Sequence, residues 1–270
     1  MLKHARLSKA QVSNCSNSDK ARKYLEYSLV VYTNVVFHSY TKFMTFIIVI
    51  ISILVAIGLI IALGYANIGL QILRYPKYWE AQAKIPNTNN TLTYVALGDS
   101  TAQGIGATSP ARGYVGLVAK ELESKYNRPV KVINVSKSGA LVADVLQSQL
   151  QQIKDIKPDI VTIEIGANDV RNYDKQRFES EYGELAKKLP KGTYVSNMPR
   201  FDDSNARAIA IEMNGIIADL AKQNDLVLVP LFEYTSRNTS IWRNSTDRFH
   251  PSNQSYKYWA AAFLSQILSH

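Results

Sequence analysis

The residues best suited to chemistry lie in the later two-thirds of the chain, and together they point to acyl transfer. The apolar run Tyr94-Val95-Ala96-Leu97 stops at Gly98-Asp99-Ser100, where the chain must turn. In an open parallel sheet, ligands bind just outside the carboxyl ends of the strands, so Ser100 is presented there. A serine hydroxyl becomes a useful nucleophile only when a neighbouring base takes its proton. Of the four histidines, His4 and His38 precede the long hydrophobic segment and His270 is the last residue, which leaves His250. Asp247 stands three residues before it, and Pro251 restrains its backbone. An aspartate so placed can reach one imidazole nitrogen and leave the other for a serine. Asn168, in Gly166-Ala167-Asn168-Asp169, has a side-chain amide able to donate to a developing oxyanion. Gly139 opens a helix and offers an unencumbered backbone N–H to an anion. Asp99 and Asp169 read as structural partners that hold the two loops. Taken singly, each piece has a plainer role as a helix cap, a turn glycine or a surface loop. Their joint order along one sheet edge favours the chemical reading.

The elements that must position these residues are legible as an alternation. Strands are predicted at 92–98, 130–135, 159–165, 192–197 and 226–231, and helices at 113–126, 140–154, 174–189, 204–224 and 253–268. In the first of these helices Val115, Val118, Ala119, Leu122 and Tyr126 share a face. Such alternation predicts a three-layer α/β/α sandwich, with a parallel five-stranded sheet, right-handed crossovers and a single domain over 92–270.

The first ninety residues are of a different kind. Residues 1–42 are predicted to form a basic, partly disordered cytoplasmic tail, with loop at Ser13–Asp19 and a short amphipathic or interfacial helix at 24–37. Met44 is an alternative start. No charge occurs from Phe43 to Leu73, and Phe46 to Leu63 is almost wholly apolar. About twenty such residues span a hydrocarbon core of ~30 Å. Residues 43–66 are therefore read as a transmembrane helix. The rival reading is a signal peptide cleaved near Ala62-Leu63-Gly64, which would release a secreted protein. Its apolar region would be long for that role. Seven Lys/Arg in residues 1–42 against three in 65–91 place the N-terminus in the cytoplasm and the C-terminal domain outside. Residues 67–91, with Pro76, Pro86 and Asn87–Thr91, read as a linker.

Composition narrows the function further. The net charge of +9 resides mainly in residues 1–91, with ten Lys/Arg against three Asp/Glu; residues 92–270 carry twenty-one against nineteen. No nucleic-acid partner is implied. The single cysteine, Cys15, excludes an internal disulfide and a cysteine metal cluster. Gly104-Ile105-Gly106 lacks the third glycine of a dinucleotide fingerprint.

Taken together, Gly98-Asp99-Ser100, Gly139, Gly166-Ala167-Asn168-Asp169 and Asp247-Arg248-Phe249-His250 resemble the four blocks of the SGNH hydrolases, also called GDSL esterases/lipases. The resemblance covers roughly residues 92–266. It implies a flavodoxin-like sandwich with Ser100 as nucleophile, His250 as general base and Asp247 as its orienting acid. It also implies an oxyanion hole built from the N–H groups of Ser100 and Gly139 and the side chain of Asn168. One departure is Ser255, where close relatives often carry glycine before the aromatic residue that is Tyr256 here; it puts the local helix geometry in question. The implied reaction is two-step hydrolysis of a carboxylic ester, with no metal or cofactor. Acyl transfer to a sugar hydroxyl shares the first step, and a non-catalytic tethered binding module is the reading from outside enzymes. No insertion reads as a lid, so the cleft is expected to be open to a small-molecule, glycan or lipid acyl ester.

Overall fold

A computed structural model describes residues 17–269. The chain divides into two compact units, the first ending at Ile61 and the second beginning at Ala62. The second unit holds a five-stranded sheet of β1 (Leu92–Gly98), β2 (Val130–Asn134), β3 (Ile160–Glu164), β4 (Tyr194–Ser196) and β5 (Val227–Val229). The strands lie in the order β2-β1-β3-β4-β5 and every pairing is parallel. The predicted three-layer sandwich is therefore present, with each strand within a few residues of its expected bounds.

Successive strand residues point to opposite faces, so a central parallel strand must be apolar on both. In β1, Tyr94 and Ala96 enter one core with Tyr114, Val118, Leu122, Tyr256 and Phe263, from α3 (Tyr114–Tyr126) and α9 (Asn253–Ile267). Val95 and Leu97 enter the other with Ile163, Phe178, Tyr182 and Ile217, from β3, α6 (Lys175–Lys188) and α7 (Ser204–Gln223). That second face is also covered by α4 (Val142–Asp144), a π turn (Val145–Gln149) and α5 (Leu150–Ile153). The order reverses beside β1: the chain steps out to β2, then returns to β3 and continues the other way. A crevice opens at such a reversal, at the carboxyl edge of the strands. Two short helices were not foreseen, α2 (Ser100–Gln103) and α8 (Leu231–Ser236).

The N-terminal expectations need correction in two places. Residues 1–16, including most of the Ser13–Asp19 loop and Cys15, lie outside the described residues. From Asn17 to Ala83 the chain is one helix, α1, which takes in the expected short helix and the expected transmembrane span. Asp19 in its first turn and the Arg22–Glu26 pair one turn apart support that start. The linker expected at 67–91 shrinks to the residues after Ala83. Pro76 had argued against helix there, because proline removes one backbone donor and crowds the preceding turn. Burial outweighs that cost, since Ile68, Gln71, Tyr75 and Trp79 are all buried within the second unit. Among the described residues, α1 is the one helix long and apolar enough to cross a membrane.

Candidate active site

The site is built outward from Gly98. Its φ of +142° is a conformation that L side chains rarely adopt, and a Cβ there would stand 2.2 Å from the carbonyl oxygen of Glu164. Only glycine lets β1 and β3 approach so closely at this register position. Gln149, buried in the π turn, grips the same residue from the other side. Its Oε1 accepts from Gly98 N–H at 2.9 Å and its Nε2 donates to Gly98 C=O at 2.8 Å. The strand end is thus fixed on two sides before the chain turns.

Asp99 caps α2. Its Oδ1 accepts from the Thr101 N–H and from the Thr101 hydroxyl, both at 2.8 Å. Ser100 is then the first residue of α2, buried, and the helix stops at Gly104 with φ +85°. The loop beyond passes under the histidine: a Cβ on Gly106 would lie 2.5 Å from the Pro251 carbonyl and 2.7 Å from His250 Cβ. The paired glycines Gly104 and Gly106 therefore serve turning and close approach.

The 237–252 loop returns the distant partners. The Ser100 Oγ and His250 Nε2 are 3.0 Å apart, and His250 Nδ1 stands 2.6 Å from Asp247 Oδ2. The other carboxylate oxygen of Asp247 accepts from the N–H groups of Phe249 at 3.1 Å and His250 at 3.0 Å. Burial works to raise the Asp247 carboxyl, but the hydrogen bond from His250 and these two N–H donors outweigh it and hold it below 3.8. Asp247 is a fixed anion at the Nδ1 edge of the imidazole. Ser255 explains its own departure from the family pattern: its hydroxyl bonds the Arg243 carbonyl and accepts from Asn238 Nδ2, so it secures this loop to a regular α9.

Asn168 follows β3, and its Nδ2 donates to Asp99 Oδ2 at 3.1 Å and to the Ala140 carbonyl at 3.0 Å. It thereby links the loops after all three of β1, β2 and β3. Gly139 has φ +80° with open space where a Cβ would stand. Asp169 accepts from Val142 N–H at 3.3 Å, and burial, opposed by that bond, pushes its carboxyl up to about 6. A cavity of about 410 Å³ opens here, lined by Ser100, Asn168, Arg171, Arg200 and Phe249 among others. Gly139 is not part of its wall.

Several positions escaped the sequence reading. Glu164 ends β3 fully buried beside Asp99, and Thr101 Oγ1 lies within hydrogen-bonding reach of its Oε2. Its Oε1 has no partner among the described residues. Burial and then the Asp99 charge drive the Glu164 carboxyl well above 4.5. Burial also pushes Asp99 up from 3.8, against the pull of the Thr101 N–H and hydroxyl. Thr101 has one hydroxyl proton for two carboxyl groups, and Asp99 collects three donors while Glu164 has one contact. The shared proton therefore belongs on Glu164. A glutamate at the end of a mostly apolar strand was the available signal. For Gln149 it was a polar residue in the buried stripe Val142, Val145, Gln149, Ile153.

Comparison with known proteins decides the family. Residues 96–258, more than half of the chain, match the GDSL-like Lipase/Acylhydrolase family. The chain belongs to that family. A spore germination lipase, LipC of Bacillus licheniformis, is 31% identical over 105 residues, 36% of this chain and 49% of that protein. The match thus spans about half the length of that relative. Among solved structures, Axe2, an acetylxylan esterase from Geobacillus stearothermophilus, is 24% identical with a TM-score of 0.52, covering 65% of this chain and 94% of that one. TesA is 22% identical with a TM-score of 0.53, covering 64% and 97% respectively. At these identities the two structures establish the fold that the GDSL family member shares with them.

Proposed function

We propose that the chain is a membrane-tethered serine ester hydrolase working through Ser100, His250 and Asp247. The observation that carries this reading is the unbroken relay of 3.0 Å and 2.6 Å from Ser100 Oγ through the imidazole to Asp247, opening onto a cavity. Ser100 Oγ attacks the acyl carbon as its proton passes to His250 Nε2, and the carbonyl π electrons move onto oxygen. Asp247 offsets the positive charge that forms on the ring. The tetrahedral intermediate collapses, the alcohol leaves with the proton from His250, and an acyl-serine remains. Water then repeats the attack, with His250 again taking and returning the proton, and the acid departs.

Oxyanion stabilisation falls to the Ser100 and Gly139 N–H groups and to Asn168. The two amide hydrogens of Asn168 are engaged by Asp99 and Ala140 without substrate, so the developing charge must draw one of them away. Its position between three loops suits that exchange. The apolar run of α1 supplies the anchor, and the excess of Lys/Arg before it orients the N-terminus inward and the hydrolase domain outward.

The test is hydrolysis of nitrophenyl esters by the full chain in detergent, with labelling by a fluorophosphonate probe. The wild type should cleave and label, and Ser100→Ala should do neither. Ester cleavage that survives in Ser100→Ala would refute the assignment.

A further inference from the structure

Gly64 immediately follows the apolar run that ends at Leu63. A Cβ on Gly64 would lie 2.8 Å from Thr246 Cβ and 2.9 Å from its Oγ1, so the helix backbone packs directly against the Thr246 side chain. Thr246 directly precedes Asp247. From that point one stripe of α1 runs along the hydrolase domain at helical spacing: Gly64, Ile68, Gln71, Tyr75 and Trp79. Gln71 Oε1 accepts from Gly106 N–H at 2.8 Å, Tyr75 donates to the Ala107 carbonyl at 2.6 Å, and Trp79 Nε1 donates to the Gln103 carbonyl at 3.0 Å. Ile68 and Tyr75 pack with Ile105. That segment of α1 is thus bonded to the end of α2, the helix that carries Ser100, and to the turn that follows it.

Large apolar side chains stand in solvent on both sides of that junction. On the loop, Ile241 is 85% exposed, Trp242 73% and Phe249 53%, and Phe249 lines the cavity. On α1, Tyr65, Leu70 and Leu73 are exposed beside the buried stripe. Tryptophan and tyrosine favour the membrane–water interface, and arginine suits the headgroup region beside it. Arg248 directly precedes Phe249 on the same loop, whereas the Arg243 guanidinium beside the exposed pair is held by Asp202.

We propose that the 241–249 loop is a membrane-contact surface, which seats the cavity mouth on the bilayer that holds α1 and feeds it acyl esters of membrane lipids. The occupant follows from chain continuity. Residue 64 is one step beyond the apolar span, and the loop touches residue 64. This inference rests on the anchor and on the ester hydrolase reading, and the experiment separates the three.

The full chain is reconstituted into phosphatidylcholine–phosphatidylglycerol vesicles, with and without brominated acyl chains. Of the three tryptophans, Trp79 and Trp259 are buried and Trp242 is exposed, so Trp242 reports the contact. Brominated lipid should quench the wild type and leave Trp242→Phe nearly unaffected, while aqueous acrylamide reaches Trp242 poorly. Ile241→Ser combined with Trp242→Ser should lower kcat/KM on vesicle phosphatidylglycerol about tenfold or more and leave nitrophenyl acetate hydrolysis unchanged. Protein that floats with the vesicles yet shows equal quenching in wild type and Trp242→Phe overturns the contact alone. Failure to float removes the anchor and the inference with it. A wild type inactive on nitrophenyl acetate defeats the esterase reading, and the quenching still decides the contact. Indifference to vesicle lipid with rapid cleavage of a soluble acetylated glycan overturns the lipid substrate.

Discussion

Replacing Glu164 with glutamine tests the proton assigned to the pair beneath Ser100. Unfolded, Glu164 releases its proton above about pH 4.5; folded, burial and the Asp99 charge keep the proton in place well beyond that. Between those limits the native state binds one more proton than the unfolded state. Stability from this group is therefore complete below about pH 4.5 and declines as the pH rises toward the folded value, at about 1.4 kcal/mol per unit. Glutamine has no such proton to lose, and its amide N–H can donate to Thr101 Oγ1 as the protonated acid would. The Glu164→Gln variant should therefore gain on the wild type as the pH rises above about 4.5, at up to about 1.4 kcal/mol per unit until folded Glu164 ionises. Urea unfolding of the detergent-solubilised full chain, followed by near-UV circular dichroism at three pH values, measures the gap. A constant difference between the two proteins would show that Glu164 is ionised when folded, and would refute the proton placement.

Three further substitutions probe the same neighbourhood. Asn168→Ala should lower turnover on the order of 10²–10³-fold in steady-state ester assays, the usual effect of losing one oxyanion donor. Gln149→Leu strips the Gly98 N–H of its partner and leaves the Gly98 carbonyl with the Lys137 N–H alone, so at about 1–3 kcal/mol for a buried unsatisfied group it should lose about 1–3 kcal/mol in urea unfolding. Gly106→Ala forces a methyl group against the Pro251 carbonyl and His250 Cβ, so its kcat should fall further than its unfolding midpoint, read by the two assays side by side.

Much of the scaffold could be read from the residues because the signals are local. Buried parallel strands announce themselves as apolar runs, and each of the five was found that way. The Asp247–His250 spacing is likewise a turn-scale feature, with two residues between carboxylate and ring. The approach of His250 to Ser100 joins positions 150 apart, and only a family resemblance pairs them in advance. Gln149 and Gly98 stand 51 residues apart, and Thr101 and Glu164 stand 63 apart, with no resemblance to pair them. The linker reading failed for a related reason. Pro76 is a local argument against helix, and it is overruled by Tyr75 and Trp79, whose partners Ala107 and Gln103 come after β1, more than twenty residues on in sequence.

The buried stripe of α1 also changes where the catalytic unit should be said to begin. The family match starts at residue 96, while the compact unit starts at Ala62. Anyone trimming the gene to the family boundary would remove Trp79 from its core and leave the carbonyls of Gln103 and Ala107 without their indole and phenol donors. Inheritance has drawn one border in this chain and packing another, some thirty residues apart. A soluble version that keeps its shape must respect the second.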